Sequence, residues 1–361
     1  MFTLHELGWN EFFQSSFEAY EQQGFELGRI SAENRDNYNL YTRDGEIIAE
    51  VTGKLLYSAD SASALPKVGD WVALKRYDAN SNGIIHEILP RKTVFSRKVA
   101  GIKTEEQVLA TNIDIVFIVQ SLDNDFSLKR FERYMVMVYE AGARPVIVMN
   151  KIDLQDNVQD FIESAQRMAG DAGVLAVSAV TGQGIADLKS LLKPGQTCAF
   201  VGSSGVGKTT LINTLIGRDV FATAEVREKD SKGRHVTTRR QLIVIPESGL
   251  LIDTPGMREL QLWSADGGLG DVFSDFDELA KSCRFSDCTH RSEIGCAVIA
   301  AVEDGRIEPW RYENYLKMRK ELDFLAEKQS QMGELNKKRR FKEFSRVIKN
   351  YKRIDPKRKF H

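Results

Sequence analysis

The chain has 361 residues, of which 42% are hydrophobic and 28% charged, and its formal net charge is −1. This length suits two or three domains of a globular protein. No apolar run approaches the ~20 residues of a membrane-spanning helix, and the N-terminus MFTLHELGWNEFF lacks the basic and apolar regions of a signal peptide. We therefore expect a cytoplasmic protein with no membrane partner.

The small net charge hides an asymmetry between the body and the tail. Residues 311–361 carry 17 Lys and Arg against 7 Asp and Glu, whereas residues 1–310 carry 33 against 44. A basic tail on an acidic body suggests a polyanionic partner, although a solvated helical tail would have the same composition.

The N-terminal part reads as a helical extension, residues 1–24, followed by a small β-barrel, residues 25–100. Aromatic side chains recur at helical spacing over residues 10–22, which indicates an amphipathic helix that packs on the barrel segment after it. The strands of the barrel are predicted at 26–31, 37–42, 46–52, 70–75 and 84–89, with turn signals in TRDGEI and NSNGII. This pattern suits an OB-fold-like barrel, a frequent oligonucleotide binder, although an SH3-like barrel would look similar.

Residues 105–262 alternate short apolar runs with helical patterns. Strands are predicted at 113–119, 145–150, 174–179, 197–202 and 249–254. Helices are predicted near 128–142, 157–170, 184–192 and 208–216. The alternation predicts an α/β domain whose mostly parallel sheet is covered by helices on both faces. Residues 263–361 form a third predicted unit, which is largely helical and ends in the basic tail.

The segment GSSGVGKT, residues 202–209, fits the phosphate-loop pattern G-x-x-x-x-G-K-[ST] in full. It follows an apolar strand and opens a helix, so its glycines let the backbone wrap around phosphate. Lys208 is expected to reach the β- and γ-phosphates, and the Thr209 hydroxyl to bind Mg²⁺. The predicted nucleotide-binding residues of this loop are Gly202, Ser203, Ser204, Gly205, Val206, Gly207, Lys208, Thr209 and Thr210.

Two further segments indicate that the nucleotide is GTP. NKID, residues 150–153, ends a buried strand, where α/β sheets bind ligands. Asp153 can accept from the ring N–H and the exocyclic amine of guanine, a donor pair that adenine lacks, while Asn150 and Lys151 hold the base and brace the loop. SAVTG, residues 178–182, ends the next strand, where a backbone N–H of Ser178 or Ala179 could bind the guanine O6.

The segments around LLIDTPG, residues 250–256, are predicted to respond to the γ-phosphate. Asp253 would hold Mg²⁺ through water, and the Gly256 N–H would contact the γ-phosphate. Residues 232–242 are polar and are not expected to form regular structure. Thr238, or Thr237 as the alternative, would complete the Mg²⁺ shell.

The residue after Gly256 is Met257, at the position where Ras-like enzymes carry a glutamine that orients the attacking water. A thioether cannot do so. His235 is a candidate for this role, although it could instead contact phosphate or RNA.

Three of the four cysteines fall in CRFSDCTHRSEIGC, where Cys283, Cys288, His290 and Cys296 have the spacing of a zinc site. Three thiolates and one imidazole make a closed tetrahedral set, which favours a structural Zn²⁺ over a catalytic one. Unrelated buried thiols are the alternative. The remaining cysteine, Cys198, begins a buried strand and is expected to belong to the core.

The motif order NKID, SAVTG, GSSGVGKT, GRHVTTRR, DTPG is that of a circularly permuted GTPase. With the barrel before it and the Cys₃His cluster after it, the chain resembles the RsgA (YjeQ/YloQ) family of small ribosomal subunit-dependent GTPases. LPKVGDWV (65–72), RKTVFSRKVAG (91–101) and DFSLKRFERY (125–134) strengthen the resemblance. Val236 departs from the family, which commonly has threonine there, and Thr209-Thr210 replaces its usual serine-first pair. Met257 agrees with the apolar residue that the family carries.

The resemblance implies a monomeric GTP hydrolase that binds the small (30S) ribosomal subunit and its 16S rRNA late in assembly, with other assembly factors as further candidate partners. Subunit binding stimulates hydrolysis, and hydrolysis releases the factor. The tail cluster at 336–344 could contact rRNA. The alternatives are a guanine-nucleotide switch acting on a protein target, and a non-catalytic RNA-binding module.

Permutation attaches the DTPG segment almost directly to the zinc unit. We therefore expect γ-phosphate contacts at Gly256 to move that unit. On this hypothesis, truncation after residue 265 abolishes partner-stimulated turnover.

Overall fold

The computed structural model describes residues 2–77, 81–98, 106–123, 126–217, 240–245, 247–253, 262 and 267–354; for Asp253 and residues 332–354 it describes the backbone alone. Over these ranges, no helix combines the length and apolar character needed to cross a membrane.

The N-terminal extension forms helix α1 (Glu11–Glu21) and packs on the barrel. Asn10 caps the helix by accepting a hydrogen bond from the Phe12 N–H at 3.1 Å. Phe13 and Phe17 are buried, and both contact Trp9, whose ring lies 4.9 Å from that of Trp71 in the barrel. The aromatic spacing therefore serves packing, as predicted.

Five strands close into a barrel after α1. They are β1 (Glu26–Glu33), β2 (Tyr38–Thr42), β3 (Gly45–Val51), β4 (Trp71–Arg76) and β5 (Asn82–Ile88), and a short helix α2 (Gly53–Ser58) lies between β3 and β4. The order β1-β2-β3-β5-β4 closes through the pairing of β1 with β4, and β3 runs parallel to β5. This connectivity is that of an OB-fold and excludes the SH3-like alternative.

A two-stranded antiparallel sheet follows the barrel. It pairs β6 (Val94–Lys98) with β7 (Glu106–Thr111). Its start is tied to the barrel by Arg91, which makes a bidentate ion pair with the buried Asp70 at 2.8 and 2.9 Å. Asp70 and Arg91 belong to the two segments, LPKVGDWV and RKTVFSRKVAG, for which the sequence alone indicated no contact.

Among the described residues, the central α/β part contains six strands in the order β10-β9-β8-β11-β13-β12. The strands are β8 (Ile115–Ser121), β9 (Arg144–Asn150), β10 (Gly173–Ala176), β11 (Thr197–Val201), β12 (Gln241–Ile245) and β13 (Gly249–Asp253). The helices are α3 (Leu128–Glu140), α4 (Val158–Ala169), α5 (Ile185–Ser190) and α6 (Lys208–Ile216). The first five strands of the order are parallel, and β12 is antiparallel to β13.

Both faces of this sheet are covered, as predicted. Along β8, Val116 and Ile118 belong to a core with buried residues of α3 and α4, whereas Phe117 and Val119 belong to a core with α5 and α6. All of β8 is buried, which explains why it reads as a continuous apolar run. Every predicted strand and helix is present, and except at β10 the predicted ends lie within two residues of the observed ones.

Two details of the prediction are wrong. Residues 241–242 were expected to lie outside regular structure but begin β12, because Gln241 pairs with Asp253 and Leu242 with Ile252 in a hairpin. The strand predicted at 174–179 ends at Ala176, because the Ser178 backbone turns to bond Gln183 and Gly182 instead of continuing the ladder.

The barrel and the α/β sheet are continuous. Ala32 of β1 pairs with Gln241 of β12, which joins the two into one sheet of eleven strands. The Tyr41 hydroxyl donates to the Leu242 carbonyl at 3.2 Å across the same seam.

The buried guanidinium of Arg29 bonds groups from several parts of the chain along this seam. It donates to the carbonyls of Leu7, Gly69 and Asn112, and to the Thr197 hydroxyl at 2.8 Å. Burial lowers the pKa of Arg29 to about 10, so the side chain remains charged at neutral pH.

The C-terminal part is helical. It contains α7 (Gly268–Val272), α8 (Ser274–Ala280), α9 (Ala297–Glu303) and α10 (Pro309–Ile354). Rings of Phe273, Phe276 and Tyr315 pack together with centroids 4.7–5.3 Å apart and tie α8 to α10. At ~1.5 Å per residue, the 46 residues of α10 span ~69 Å.

Candidate functional site

Three of the predicted nucleotide motifs meet at one edge of the sheet. Strands β9, β10, β11 and β13 are parallel, so NKID, SAVTG and GSSGVGKT all follow the carboxyl ends of strands, and Asp253, the first residue of DTPG, ends β13 at the same edge. This edge is where open α/β sheets bind ligands. The reversed motif order therefore leaves the spatial order intact, with the phosphate-loop strand β11 between β8 and β13.

The phosphate loop runs from β11 to α6 with the backbone that its glycines permit. Gly202 has φ +143°, and a Cβ there would lie 2.1 Å from the Val119 carbonyl oxygen. Gly207 has φ +92°, and its Cβ would lie 2.2 Å from the Asn150 amide nitrogen. Any side chain at either position would push the loop away from its neighbours. The backbone N–H groups at the start of a helix such as α6 suit an anion.

Lys208 reaches back across the phosphate loop. Its Nζ donates to the carbonyls of Gly202 at 2.7 Å and Ser203 at 2.5 Å. The ammonium group thus lies within the curve of the loop, where a β- or γ-phosphate would need a counter-charge. Ser204 and Gly205 are exposed, Val206 is buried, and Thr209 and Thr210 are partly buried at the first turn of α6.

Asn150 connects the phosphate loop with the SAVTG loop. Its side chain is only 2% exposed. Its Nδ2 donates to the Val206 carbonyl at 2.8 Å, and its Oδ1 accepts from the Ala179 N–H at 3.3 Å. The predicted role of Asn150 in bracing the site therefore has a physical basis, and the bracing acts on both loops at once.

Lys151, Asp153 and Ser178 are the remaining predicted binding residues of the NKID and SAVTG segments. Lys151 has φ +62° and pairs with Asp123 at 3.2 Å. Asp153 lies in a single 3₁₀ turn with its carboxylate exposed to solvent, as a base reader requires. The Ser178 hydroxyl accepts from the Thr181 N–H at 3.1 Å and shapes the SAVTG turn.

His235, Thr237, Thr238, Gly256 and Met257 lie outside the described residues. Asp253 ends β13, where its backbone pairs with Gln241, and β13 adjoins the phosphate-loop strand β11. Their roles in magnesium binding and hydrolysis stay predictions.

One contact with the phosphate loop comes from the segment DFSLKRFERY, none of whose residues had a predicted role. Arg130, in the first turn of α3, donates from Nη1 to the Ser203 hydroxyl of the loop at 3.1 Å. The signal was present in principle, because α3 follows the carboxyl end of β8, which adjoins β11. Arg130 belongs to no recognised motif, and its partner Ser203 lies 73 residues later in the sequence, so the sequence alone did not predict the contact.

The four predicted zinc ligands converge. The candidate ligand atoms of Cys283, Cys288, His290 and Cys296 all lie within 4.8 Å of one another. His290 Nδ1 lies 3.6 Å from the Cys283 sulfur and 3.4 Å from the Cys296 sulfur, and the two sulfurs are 3.9 Å apart. A tetrahedral Zn²⁺ with Zn–S ~2.3 Å and Zn–N ~2.0 Å requires ~3.6 Å between the nitrogen and each sulfur and ~3.8 Å between two sulfurs. The donor set therefore fits zinc.

The loop that carries these ligands is held by its own hydrogen bonds. The Glu293 carboxylate accepts hydrogen bonds from the backbone N–H groups of Thr289, Arg291 and Ser292 at 2.7–3.0 Å. It also accepts one from the Thr289 hydroxyl. These donors, with the Thr289 hydroxyl foremost, hold the pKa of Glu293 well below its ordinary value. The Tyr312 hydroxyl donates to the His290 carbonyl at 2.5 Å, which ties the loop to α10.

Cys198 is separate from this cluster. It lies on β11 and is 1% exposed, and burial raises the pKa of its thiol. It is a core residue, as expected.

Comparisons with known proteins agree with this geometry. The model of the RsgA GTPase family matches residues 88–263, and that of a family described as 50S ribosome-binding GTPase matches residues 197–330. The small ribosomal subunit biogenesis GTPase RsgA of Opitutus terrae is 43% identical over 333 residues, which cover 90% of this chain and 91% of that protein.

Two solved structures have the same architecture. YjeQ from Thermotoga maritima aligns with a TM-score of 0.61 at 28% identity, covering 82% of this chain and 98% of that one. YloQ, described as a circularly permuted GTPase, aligns with a TM-score of 0.58 at 25% identity, covering 83% and 95%. With the permuted phosphate-loop sheet, the barrel and the Cys₃His cluster in place, the chain belongs to the RsgA family of circularly permuted GTPases.

Proposed function

We propose that this protein hydrolyses GTP during maturation of the small (30S) ribosomal subunit, that subunit binding stimulates hydrolysis, and that hydrolysis releases the protein. The observation that carries the catalytic part is the phosphate loop: the Lys208 side chain reaches back across it, and Asn150 of the NKID segment connects it to the SAVTG loop. The ribosomal part rests on the relatives, which are named small ribosomal subunit biogenesis GTPases.

The nucleotide-binding roles follow from the positions of the loops. The backbone of residues 202–207 and the start of α6 would surround the β-phosphate, with Lys208 supplying positive charge. Asp153 would read the guanine edge, and Ser178 and Ala179 would offer N–H groups to O6. Mg²⁺, when bound, neutralises charge on the phosphates, and Thr209, Thr238 and Asp253 are the residues that would hold it.

Slow turnover is expected of the chain alone. Met257 cannot orient the attacking water, so this task falls to His235 or to a partner. Gly256 would offer its N–H to the γ-phosphate. Substitution of His235 by alanine should lower stimulated turnover without changing GDP affinity if the imidazole acts on water; an equal loss of GDP affinity would instead indicate a phosphate contact.

Contacts with 16S rRNA are proposed for three surfaces. The barrel has the OB-fold connectivity that binds oligonucleotides in many proteins. The zinc loop exposes Phe285 and Ile294, and the Arg284 guanidinium lies 5.5 Å from the Phe285 ring. The basic sequence of α10 beyond residue 336 would follow the phosphate backbone. The protein is proposed to act as a cytoplasmic monomer, with other assembly factors as further partners.

The decisive experiment measures GTP hydrolysis by the purified chain alone and with small subunits, large subunits or free rRNA. Stimulation by small subunits alone supports the proposal. Stimulation by large subunits alone would move the function to the other subunit, and stimulation by none of them, with GTP still bound, would favour a switch that acts on a protein target.

Two variants attribute the turnover to this site. Lys208→Ala should abolish both basal and stimulated hydrolysis, because it removes the ammonium group that lies within the curve of the phosphate loop. Lys189→Ala removes an exposed lysine of α5 from the same domain and should change neither rate.

A further inference from the structure

Helix α3 begins beside the phosphate loop, and its start is fixed to the sheet. Gln120, fully buried at the end of β8, donates from Nε2 to the Ser127 carbonyl at 3.0 Å and accepts from the Ser127 N–H at 2.9 Å. The Ser127 hydroxyl then caps the helix by accepting from the Arg130 N–H at 3.4 Å. The first turn of α3 is thus held relative to β8, the strand next to β11.

From this first turn, Arg130 acts on the phosphate loop through Ser203. Its guanidinium donates to the Ser203 hydroxyl at 3.1 Å, while Lys208 donates to the carbonyl of the same residue at 2.5 Å. Ser203 is therefore held at its side chain by α3 and at its backbone by the lysine that is proposed to bind phosphate. A shift of α3 would be transmitted to the loop at this residue.

The same helix is held by α10 through charged contacts. The carboxylate of Glu132, fully buried, accepts from Arg311 Nε at 2.8 Å and from Asn314 Nδ2 at 2.6 Å. One residue further, both Nη atoms of Arg133 donate to the carboxylate of Glu321, at 2.9 and 2.6 Å. Bidentate and buried contacts of this kind fix the relative position of two helices and are costly to separate.

The C-terminal end of α3 holds the start of α7. The Glu140 carboxylate accepts from the N–H groups of Gly267 at 3.2 Å and Gly268 at 3.1 Å. The helices touch so closely that a Cβ on Gly268 would lie 2.2 Å from the Val136 carbonyl oxygen. Along its length, α3 therefore contacts the phosphate loop, α7 and α10.

We propose that α3 couples the nucleotide site to the C-terminal helix, with Arg130 as the positioning residue at the phosphate loop and the Arg133–Glu321 pair as the connection at α10. Coupling of this kind is reciprocal. A polyanion that binds α10 changes nucleotide affinity, and nucleotide changes the affinity of α10 for the polyanion by the same factor. The inference deepens the proposed function and rests on its nucleotide site.

The test uses the full-length, zinc-loaded chain without ribosomes. The dissociation constants for GDP and for a non-hydrolysable GTP analogue are measured by fluorescence titration, together with basal kcat and KM, for Arg130→Gln, Glu321→Gln and the double variant. Arg306→Gln is the matched control, because it removes an exposed ion pair with Asp304 that does not involve α3.

Loss of one charge-assisted hydrogen bond at the loop predicts that Arg130→Gln weakens nucleotide binding by roughly 3- to 30-fold. Glu321→Gln weakens it in the same direction, by roughly 2- to 10-fold, although the substitution is made on α10. The double variant loses less than the product of the two single losses. Arg306→Gln leaves the affinities unchanged.

An unchanged nucleotide affinity in Glu321→Gln overturns the proposal, and so does a double variant whose loss equals the product. A charge-exchange variant that combines Arg133→Glu with Glu321→Arg distinguishes lost coupling from a damaged fold. Restored nucleotide affinity in this variant supports the coupling. If the affinity is not restored although the thermal unfolding midpoint and the zinc content equal those of the parent, the proposal is overturned. Because no ribosome is present, a failure of small subunits to stimulate hydrolysis would refute the proposed function and leave this result standing.

Discussion

Asn150 offers the sharpest test of how the nucleotide site is assembled, because both of its hydrogen bonds are made to protein groups. Replacing it by alanine removes both hydrogen bonds, to the Val206 carbonyl and from the Ala179 N–H. Val206 is 1% exposed, so water cannot easily replace the lost donor. At ~1–2 kcal/mol for each of the two groups left without a partner, we expect a loss of ~2–4 kcal/mol in the free energy of unfolding of the nucleotide-free chain.

Replacing Asn150 by aspartate separates the two contacts. One carboxylate oxygen can still accept from the Ala179 N–H, but the other faces the Val206 carbonyl oxygen at the 2.8 Å now occupied by the amide nitrogen. Two acceptors at this distance repel each other, and the new charge is buried. Asn150→Asp should therefore destabilise the chain more than Asn150→Ala, and should displace the phosphate loop in particular.

Urea unfolding of nucleotide-free protein and GDP titration together give the answer. If most of the ~2–4 kcal/mol is also lost from binding, GDP affinity falls by ~30- to 1,000-fold. Asn157→Ala is the control. Asn157 lies seven residues after Asn150 and is exposed, and the one side-chain hydrogen bond described for it goes to Asp160. If Asn150→Ala unfolds within ~0.5 kcal/mol of the parent while GDP affinity falls, Asn150 acts on the base alone and the bracing argument is wrong.

Three further predictions concern the rest of the fold. Cys288→Ser should abolish zinc retention in metal analysis and melt the loop around it, with GDP binding retained; a retained zinc ion would contradict the Cys₃His assignment. Burial raises the pKa of Glu132 to about 7 from 4.5, so the folded chain holds this proton more tightly than the unfolded chain. The stabilising contribution is present below pH 4.5 and is lost as the pH rises to about 7. Relative to Glu132→Gln, the parent should lose up to ~3 kcal/mol of unfolding free energy over this range; parallel pH profiles would refute the shift. Arg29→Lys should cost ~2–4 kcal/mol in urea unfolding, because an ammonium group cannot reach the four acceptors of the guanidinium, and a loss under ~1 kcal/mol would contradict this reasoning.

The sequence was informative where chemistry or packing is local. The phosphate loop is encoded by the spacing of Gly202, Gly207 and Lys208, and each glycine is required by a neighbour that a Cβ would strike. The zinc cluster is likewise contained within fourteen residues of sequence. Strands such as β8 were found because burial on both faces leaves a continuous apolar run.

What the sequence could not supply is pairing at long range. Arg130 and Ser203 are 73 residues apart, and Arg311 and Glu132 are 179 apart. Neither pair belongs to a periodic pattern, and the charges of Arg130, Arg311 and Glu132 do not by themselves indicate a partner. The barrel type stayed open for the same reason, since strand count cannot show that β3 runs parallel to β5. The roles of His235, Thr238 and Gly256 stay predictions.

The seam between the barrel and the α/β sheet has a consequence for synthesis of the chain. Tyr41 bonds a partner 201 residues later and Arg29 one 168 residues later. At ~5–20 residues per second, ~10–40 s pass between translation of Tyr41 and translation of its partner. The barrel strands can pair with one another in that time. The barrel face that later contacts the α/β sheet stays exposed to water until its partners are synthesised. Arg29 contributes to that face through its bond to Thr197. We expect its charged guanidinium to be hydrated during the delay, which an aliphatic side chain of the same size would not be.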